Sequence, residues 1–221
     1  MIIAVIPAYN EESRLAQVVR DARKFAQKVI VVDDGSTDGT AEVARHEEAT
    51  VVRHVQNCGA GAATMTGIEA ARTAGATVIV TLDADGQHDP HDIPALLRPA
   101  EEDKADIVFS NRFGQRNRIP FTRRLFNAIG NVVTFVATGK WVSDSQSGFK
   151  VFGPRALREI QLRMSGFEFC TEIVREAAKH KWRVAQIPTK VVYSEYTMAK
   201  GQSFASGVKT ALKILLRSFL R

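Results

Sequence analysis

Runs of β-branched and aliphatic residues at 2–6, 29–32, 50–54, 78–82 and 107–110 divide the first half of the chain, and each of the first four is followed by a stretch with helical apolar spacing. Parallel neighbours in a sheet need a crossover, usually a helix, so this alternation predicts βαβ units and a mainly parallel sheet flanked by helices. Helix starts are marked by Thr37-Asp38 ahead of 40–47 and by Asp89-Pro90 ahead of 93–102, where a capping side chain or a first-turn proline suits the free backbone ends. Polar loops at 8–12, 34–39, 57–61 and 83–89 fall after strand C-termini. In an open parallel sheet that edge is where ligands bind.

At 221 residues, 45% hydrophobic and 24% charged, the chain has the composition of a globular protein, which excludes collagen-like, disordered and disulfide-scaffold classes. One domain over 1–221 is expected. Cys58 and Cys170 form no CxxC or Cys/His motif and read as free thiols in a reducing cytoplasm. The chain opens on an apolar run with no basic segment ahead of it, so no export signal is expected. The apolar stretch 125–139 is interrupted by Asn127, Gly130 and Asn131 and falls short of the ~20 residues of a membrane span, so no transmembrane helix is expected.

Charge is divided unevenly. Residues 1–110 carry 10 basic and 18 acidic side chains, a balance of −8; residues 111–221 carry 20 and 6, a balance of +14. The second half is therefore expected to meet something anionic. Two stretches combine cations with apolar helical spacing: 121–138, with Arg123 and Arg124, and 203–221, where Lys209, Lys213, Arg217 and Arg221 border Val208, Leu212, Leu215 and Phe219. Both read as basic amphipathic helices suited either to a membrane interface or to packing on the sheet with solvated basic faces. Nucleic acid is not an expected partner, because no stacking sheet or zinc module accompanies the charge.

The segment 78–90 ends a buried strand in two carboxylates two residues apart. In extended backbone, positions i and i+2 share a side, so Asp83 and Asp85 are placed to hold one hard divalent cation, Mg²⁺ or Mn²⁺, with Gln87 next on the same side. Asp33 and Asp34 close the second strand, where a carboxylate suits ribose hydroxyls or a base N–H. The 57–63 loop has glycines at 59 and 61 but threonine at 64, short of a dinucleotide fingerprint. What remains is close backbone approach at Gly59 and a helix N-terminus that favours anions. Glu168 and Glu172, one helical turn apart, are candidates to meet an acceptor. His88 reads as a solvated residue beside a cap, and Trp141 and Trp182 as packing residues.

In order along the first 150 residues, "PAYNEE", "VVDDGSTDGT", "NCGAGAA", "DADGQHDP" and "DSQSGFKVF" resemble the family 2 glycosyltransferases of the GT-A fold, in the branch that glycosylates polyprenyl or dolichol phosphates. The resemblance implies a Rossmann-like GT-A domain with a donor and metal half at 1–110 and an acceptor half at 111–221. It implies a nucleotide-sugar donor, GDP- or UDP-linked, held by Pro7, Tyr9, Glu11, Asp34, Asp83 and Gly59. Metal would sit at Asp83, Asp85 and Gln87, and Arg112 would face phosphate. The family loop often reads N-x-G-K-G, whereas Ala60 stands here in the lysine's place. A lipid-phosphate acceptor, anionic at neutral pH, needs no base and would be positioned by Arg112, Arg123, Arg124 and Lys200. A hydroxyl acceptor would need one, for which Asp144 is the candidate. Such an enzyme is expected in the cytoplasm, peripheral at the membrane face. The strand ending in Asp83-Ala-Asp85-Gly86 also resembles the nucleophile motif of haloacid-dehalogenase-like phosphatases, and a silent nucleotide-sugar-binding adaptor stays open beside both.

Overall fold

In the computed structural model, which describes residues 1–115, 117 and 119–192, the alternation becomes a seven-stranded sheet. In chain order the elements are β1 (Ile2–Ala8), α1 (Leu15–Ala22), β2 (Lys28–Asp33), α2 (Thr40–His46), β3 (Thr50–Arg53), α3 (Ala60–Thr73), β4 (Val78–Thr81), α4 (Ile93–Glu101), β5 (Ile107–Asn111), α5 (Phe121–Thr138), β6 (Lys150–Phe152), α6 (Pro154–Glu159), α7 (Phe169–Lys179) and β7 (Val184–Pro188). A 3-10 turn at Pro90–Asp92 leads into α4, and Asp89 accepts the His91 backbone N–H at 3.0 Å to cap it. Lys200, the 193–202 loop and the tail at 203–221 lie outside the described residues.

The strand order is β3-β2-β1-β4-β6-β5-β7. β1 runs parallel to β2 and β4, β2 to β3, and β5 to β7. Strands buried on both faces place successive side chains in two separate cores. Ala4, Ile6, Val29 and Val31 pack with Leu15, Val18 and Val19 of α1 and with Ile93, Leu96 and Leu97 of α4. Ile3, Val5, Ile30 and Val32 pack on the other face with Ile68 of α3, Leu157 of α6 and Ile173 and Val174 of α7.

The parallel set brings the C-terminal ends of β1, β2, β3 and β4 to one edge. The exception to parallel pairing is β6, which lies antiparallel between β4 and β5, with Thr81 opposite Lys150 and Phe109 opposite Lys150 from the other side. Because β6 runs the other way, its beginning lies where β4 ends. Residues 144–149 are thereby carried to Asp83.

Candidate active site

The first two loops are laced together. Asn10, at a positive φ of 53°, accepts the Thr37 N–H through Oδ1 at 2.9 Å and donates its own N–H to Ser36 Oγ at 2.9 Å. The Glu11 N–H donates to Thr40 Oγ1 at 2.8 Å, and Glu12 accepts the Gly39 N–H at 2.7 Å. Glu11 is buried by this arrangement, while Tyr9 stays 43% exposed at the rim and Pro7 is the next-to-last residue of β1.

Asp34 ties this pair to the third loop. Its Oδ1 accepts the Cys58 N–H at 2.8 Å and lies 2.7 Å from His54 Nδ1; its Oδ2 accepts the Gly59 N–H at 2.8 Å. The carboxylate is buried. Gly59 has φ of +98°, and a side chain there would strike the Ser165 carbonyl. That carbonyl accepts the Gly61 N–H at 2.7 Å and the Ala62 N–H at 3.3 Å, so the start of α3, expected to favour an anion, is occupied by the protein's own backbone.

At the end of β4, Asp83 keeps 45% of its side chain exposed and meets His88 Nε2 at 3.1 Å. Crowding around this carboxyl would raise its pKa, but the His88 hydrogen bond and the nearby Lys150 and Arg112 charges outweigh that and hold it below the usual range. Asp85 accepts the Gln87 N–H at 2.9 Å and the Gln87 carboxamide at 2.8 Å. Burial, and then the charge of Asp83, push Asp85 up to about 6. His88 is not solvated: its ring is buried against Phe149, with centroids 5.2 Å apart, and Nδ1 has no hydrogen-bond partner among the described residues. Its five-residue separation from Asp83, across a tight turn, is the signal sequence reading passed over.

Gly148 fits beneath Asp83 because it has no side chain; a Cβ there would overlap the carboxylate. Thr81 Oγ1 donates to the Gly148 carbonyl at 2.7 Å and fixes the segment in place. Six residues ahead of β6, Asp144 is buried in a bidentate pair with Arg112: Nε to Oδ2 at 2.7 Å and Nη2 to Oδ1 at 2.6 Å, with the Arg112 N–H on Oδ2 at 3.0 Å. A base at Asp144 would first have to give up this guanidinium. Lys150, unremarked in the sequence, is fully buried, donating to the Ser147 carbonyl with Phe109 and Phe169 rings 5.7 and 5.8 Å away. A cation inside an otherwise apolar strand was the signal for it.

Helix α5 has the predicted bounds, and its apolar face is turned outward and not packed on the sheet. Its buried side chains are Asn131 and Thr134. Asn131 donates to the Ser143 carbonyl at 2.6 Å and accepts the Ser145 N–H at 3.0 Å, and Thr134 meets Thr171 of α7 at 2.9 Å. Phe121 is 78% and Val136 63% exposed, with Leu125, Phe126, Ile129, Val132 and Phe135 exposed between them. Arg123 and Arg124 stand on the first turn, and Trp141, expected to pack, is exposed beyond the last. Trp182 does pack, its indole N–H reaching Glu159 at 2.7 Å. Glu168 and Glu172 begin α7, where Glu172 accepts the Arg163 and Met164 N–H groups at 3.0 and 2.9 Å and so ties the chain ahead of its helix.

Strands ending on one polar edge, with a reversed β6 set beside the acidic pair, define the class: the chain has the GT-A-like fold of sugar-transferring enzymes. It matches glucosyl-3-phosphoglycerate synthase from Mycobacterium tuberculosis, solved in complex with Mn²⁺, uridine diphosphate and phosphoglyceric acid, with a TM-score of 0.76 at 18% identity over 99% of this chain and 78% of that one. The model of the family "Glycosyl transferase family 2" matches residues 3–161; the chain belongs to that family and is a glycosyltransferase. The phosphatase and silent-adaptor readings give way to it. The chain is 34% identical to the UDP-N-acetylglucosamine–dolichyl-phosphate N-acetylglucosaminyltransferase of Methanococcus voltae, over 98% of this chain and 95% of the relative. It is 25% identical to the polyprenol monophosphomannose synthase of Mycolicibacterium smegmatis, over 95% and 83%.

Proposed function

We propose that this enzyme transfers a hexose from a nucleoside-diphosphate sugar to a polyprenyl phosphate at a membrane surface, using Mg²⁺ or Mn²⁺ held by Asp83, Asp85 and Gln87. The acceptor class rests on α5. A helix that buries its polar stripe and exposes seven large apolar side chains suits an apolar surface, and two relatives are named for lipid-phosphate acceptors. No helix among the described residues is long and apolar enough to cross a membrane, so contact through α5 would be peripheral.

The donor set suits a hard divalent ion. Two carboxylates and a carboxamide offer only oxygen for binding, and the repulsion from Asp83 that adds to burial in lifting Asp85 is what a cation between the pair relieves. When bound, the ion neutralises charge developing on the departing diphosphate. The chain supplies the rest. Tyr9 and Pro7 form the rim at which the nucleotide is received, while Glu11, Asp34 and Gly59 shape its wall. Arg112, fixed by Asp144, and Arg123 and Arg124 on α5 orient the acceptor phosphate, whose oxygen attacks the anomeric carbon as the bond to the diphosphate breaks. A phosphate has no proton to lose at that oxygen, which leaves Asp144 free to position Arg112. Residues 1–221 act as one domain, with donor and metal groups in 1–110 and acceptor groups in 111–221.

Asp85→Asn is expected to abolish turnover and Mn²⁺-dependent donor binding while leaving circular dichroism unchanged; full activity in that variant refutes the metal assignment. Transfer of labelled sugar from UDP- and GDP-linked donors should appear in polyprenyl phosphate. Label found only in soluble hydroxyl acceptors refutes the acceptor class.

A further inference from the structure

We infer that Asp34, His54 and Cys58 form a second metal site, selective for a borderline-to-soft divalent cation such as Zn²⁺ and separate from the acidic pair of β4. The sheet itself assembles it. Asp33 pairs with Arg53 in the parallel β2–β3 register, so the next residues, Asp34 and His54, leave the sheet side by side. The turn at 55–57 then returns Cys58, whose N–H is held on Asp34 at 2.8 Å. One ligand atom from each residue lies within 4.8 Å of the other two.

The geometry is close to what such an ion needs. Bonds of roughly 2.0–2.3 Å in a tetrahedron separate neighbouring ligand atoms by about 3.3–3.8 Å. The His54 Nδ1 and Asp34 Oδ1 atoms, now 2.7 Å apart, need to open by less than about 1 Å. Imidazole, thiolate and carboxylate together favour zinc over magnesium or calcium, which prefer oxygen ligands throughout.

Surrounding groups already hold the ligands. The Cys58 and Gly59 N–H groups orient the Asp34 carboxylate, each at 2.8 Å, and Thr66 Oγ1 stands 3.0 Å from His54 Nε2. On binding, the neutral ring carries its proton on Nε2 toward Thr66, freeing Nδ1 for the ion, and the Cys58 thiol gives its proton to water. One proton leaves per ion, and two negative ligands balance the two positive charges. Cys58 is solvent-exposed, so a fourth position stays open to water and the ion exchanges with solvent. With Asp34 engaged and the 54–59 loop fixed, zinc would inhibit donor binding; this last consequence rests on the function proposed above, while the site does not.

The test is binding by the full chain without donor or acceptor. In the Asp83→Asn/Asp85→Asn background, equilibrium dialysis should find one Zn²⁺ per chain, and Cd²⁺ should produce a thiolate charge-transfer band in the near ultraviolet. Cys58→Ser should remove the band and weaken Zn²⁺ at least tenfold, and His54→Gln should weaken it similarly, with thermal unfolding confirming that both variants are folded. No Cd²⁺–thiolate band in the parent, or Zn²⁺ bound as tightly by folded Cys58→Ser as by the parent, overturns the site. Neither result bears on glycosyl transfer.

Discussion

Helices α1 and α5 are both amphipathic, yet they are turned in opposite senses. In α1 the apolar stripe of Leu15, Val18, Val19 and Ala22 is buried and Gln17 and Arg20 face outward. In α5 Asn131 and Thr134 are buried while phenylalanine, leucine, isoleucine and valine face outward. What separates them is the surface each one meets. α1 lies over apolar β1 and β2, whereas α5 lies over the polar backbone of 143–145 and a threonine of α7, which only hydrogen-bonding side chains can satisfy. Periodicity specifies that a helix has two faces; the neighbour decides which one goes in.

The largest expected effect comes from cutting the buried stripe of α1. Leu15→Ala should cost about 2–5 kcal/mol in denaturant unfolding, since it leaves a cavity in a closed core; a loss below 1 kcal/mol would mean that α1 is less firmly packed than described. Next in size, Asn131→Ala should cost about 1–3 kcal/mol, because the Ser143 carbonyl and Ser145 N–H lose their partner in a buried setting. A stability gain there would show that α5 has no need of its polar face.

Smaller still, the double variant Ile129→Ser/Val132→Ser should change stability by no more than about 0.5 kcal/mol, as expected of exposed positions. The same variant should lose most of its flotation with anionic liposomes and most of its transfer to polyprenyl phosphate. Retained flotation would move membrane contact away from α5. The finest difference lies in pH dependence. The Arg183 hydrogen bond, against a smaller opposing effect of burial, holds the Asp106 carboxyl below its usual range. Its contribution is complete above the unfolded value near 4 and is lost as pH falls through the lower folded value. Asp106→Asn should therefore flatten the stability profile on the acid side, seen as a smaller slope of Tm against pH; an unchanged slope would assign the acid sensitivity elsewhere.

Much of the scaffold was legible because it is local. The five strands, the N-terminal marks of α2 and α4, and the bounds of α5 follow from spacing within short windows, and the parallel rule then gathers the loops on one edge. The rest depends on partners distant in sequence. Nothing near Asp144 announces that Arg112 will occupy both its oxygens, and nothing near Asp83 announces that Gly148 will lie under it; both contacts exist because β6 is reversed between β4 and β5. Asp34 is likewise held by the Cys58 and Gly59 N–H groups, 24 and 25 residues further on, while His88, read as solvated, is buried against Asp83 across a turn too tight for periodicity to describe.

The β5–β6 pairing also bears on how such enzymes diversify. These neighbouring strands form a hairpin whose connection is everything from Arg112 to Phe149, including α5. The sheet registers only where that excursion leaves and returns, and the Arg112–Asp144 clasp fastens its base. Its outer part is thus a cassette: it can lengthen, shorten or change its greasy face while the catalytic edge keeps its alignment. If the acceptor is met on α5, as proposed above, exchanging the cassette between relatives with the clasp retained should change the acceptor and leave donor use unchanged.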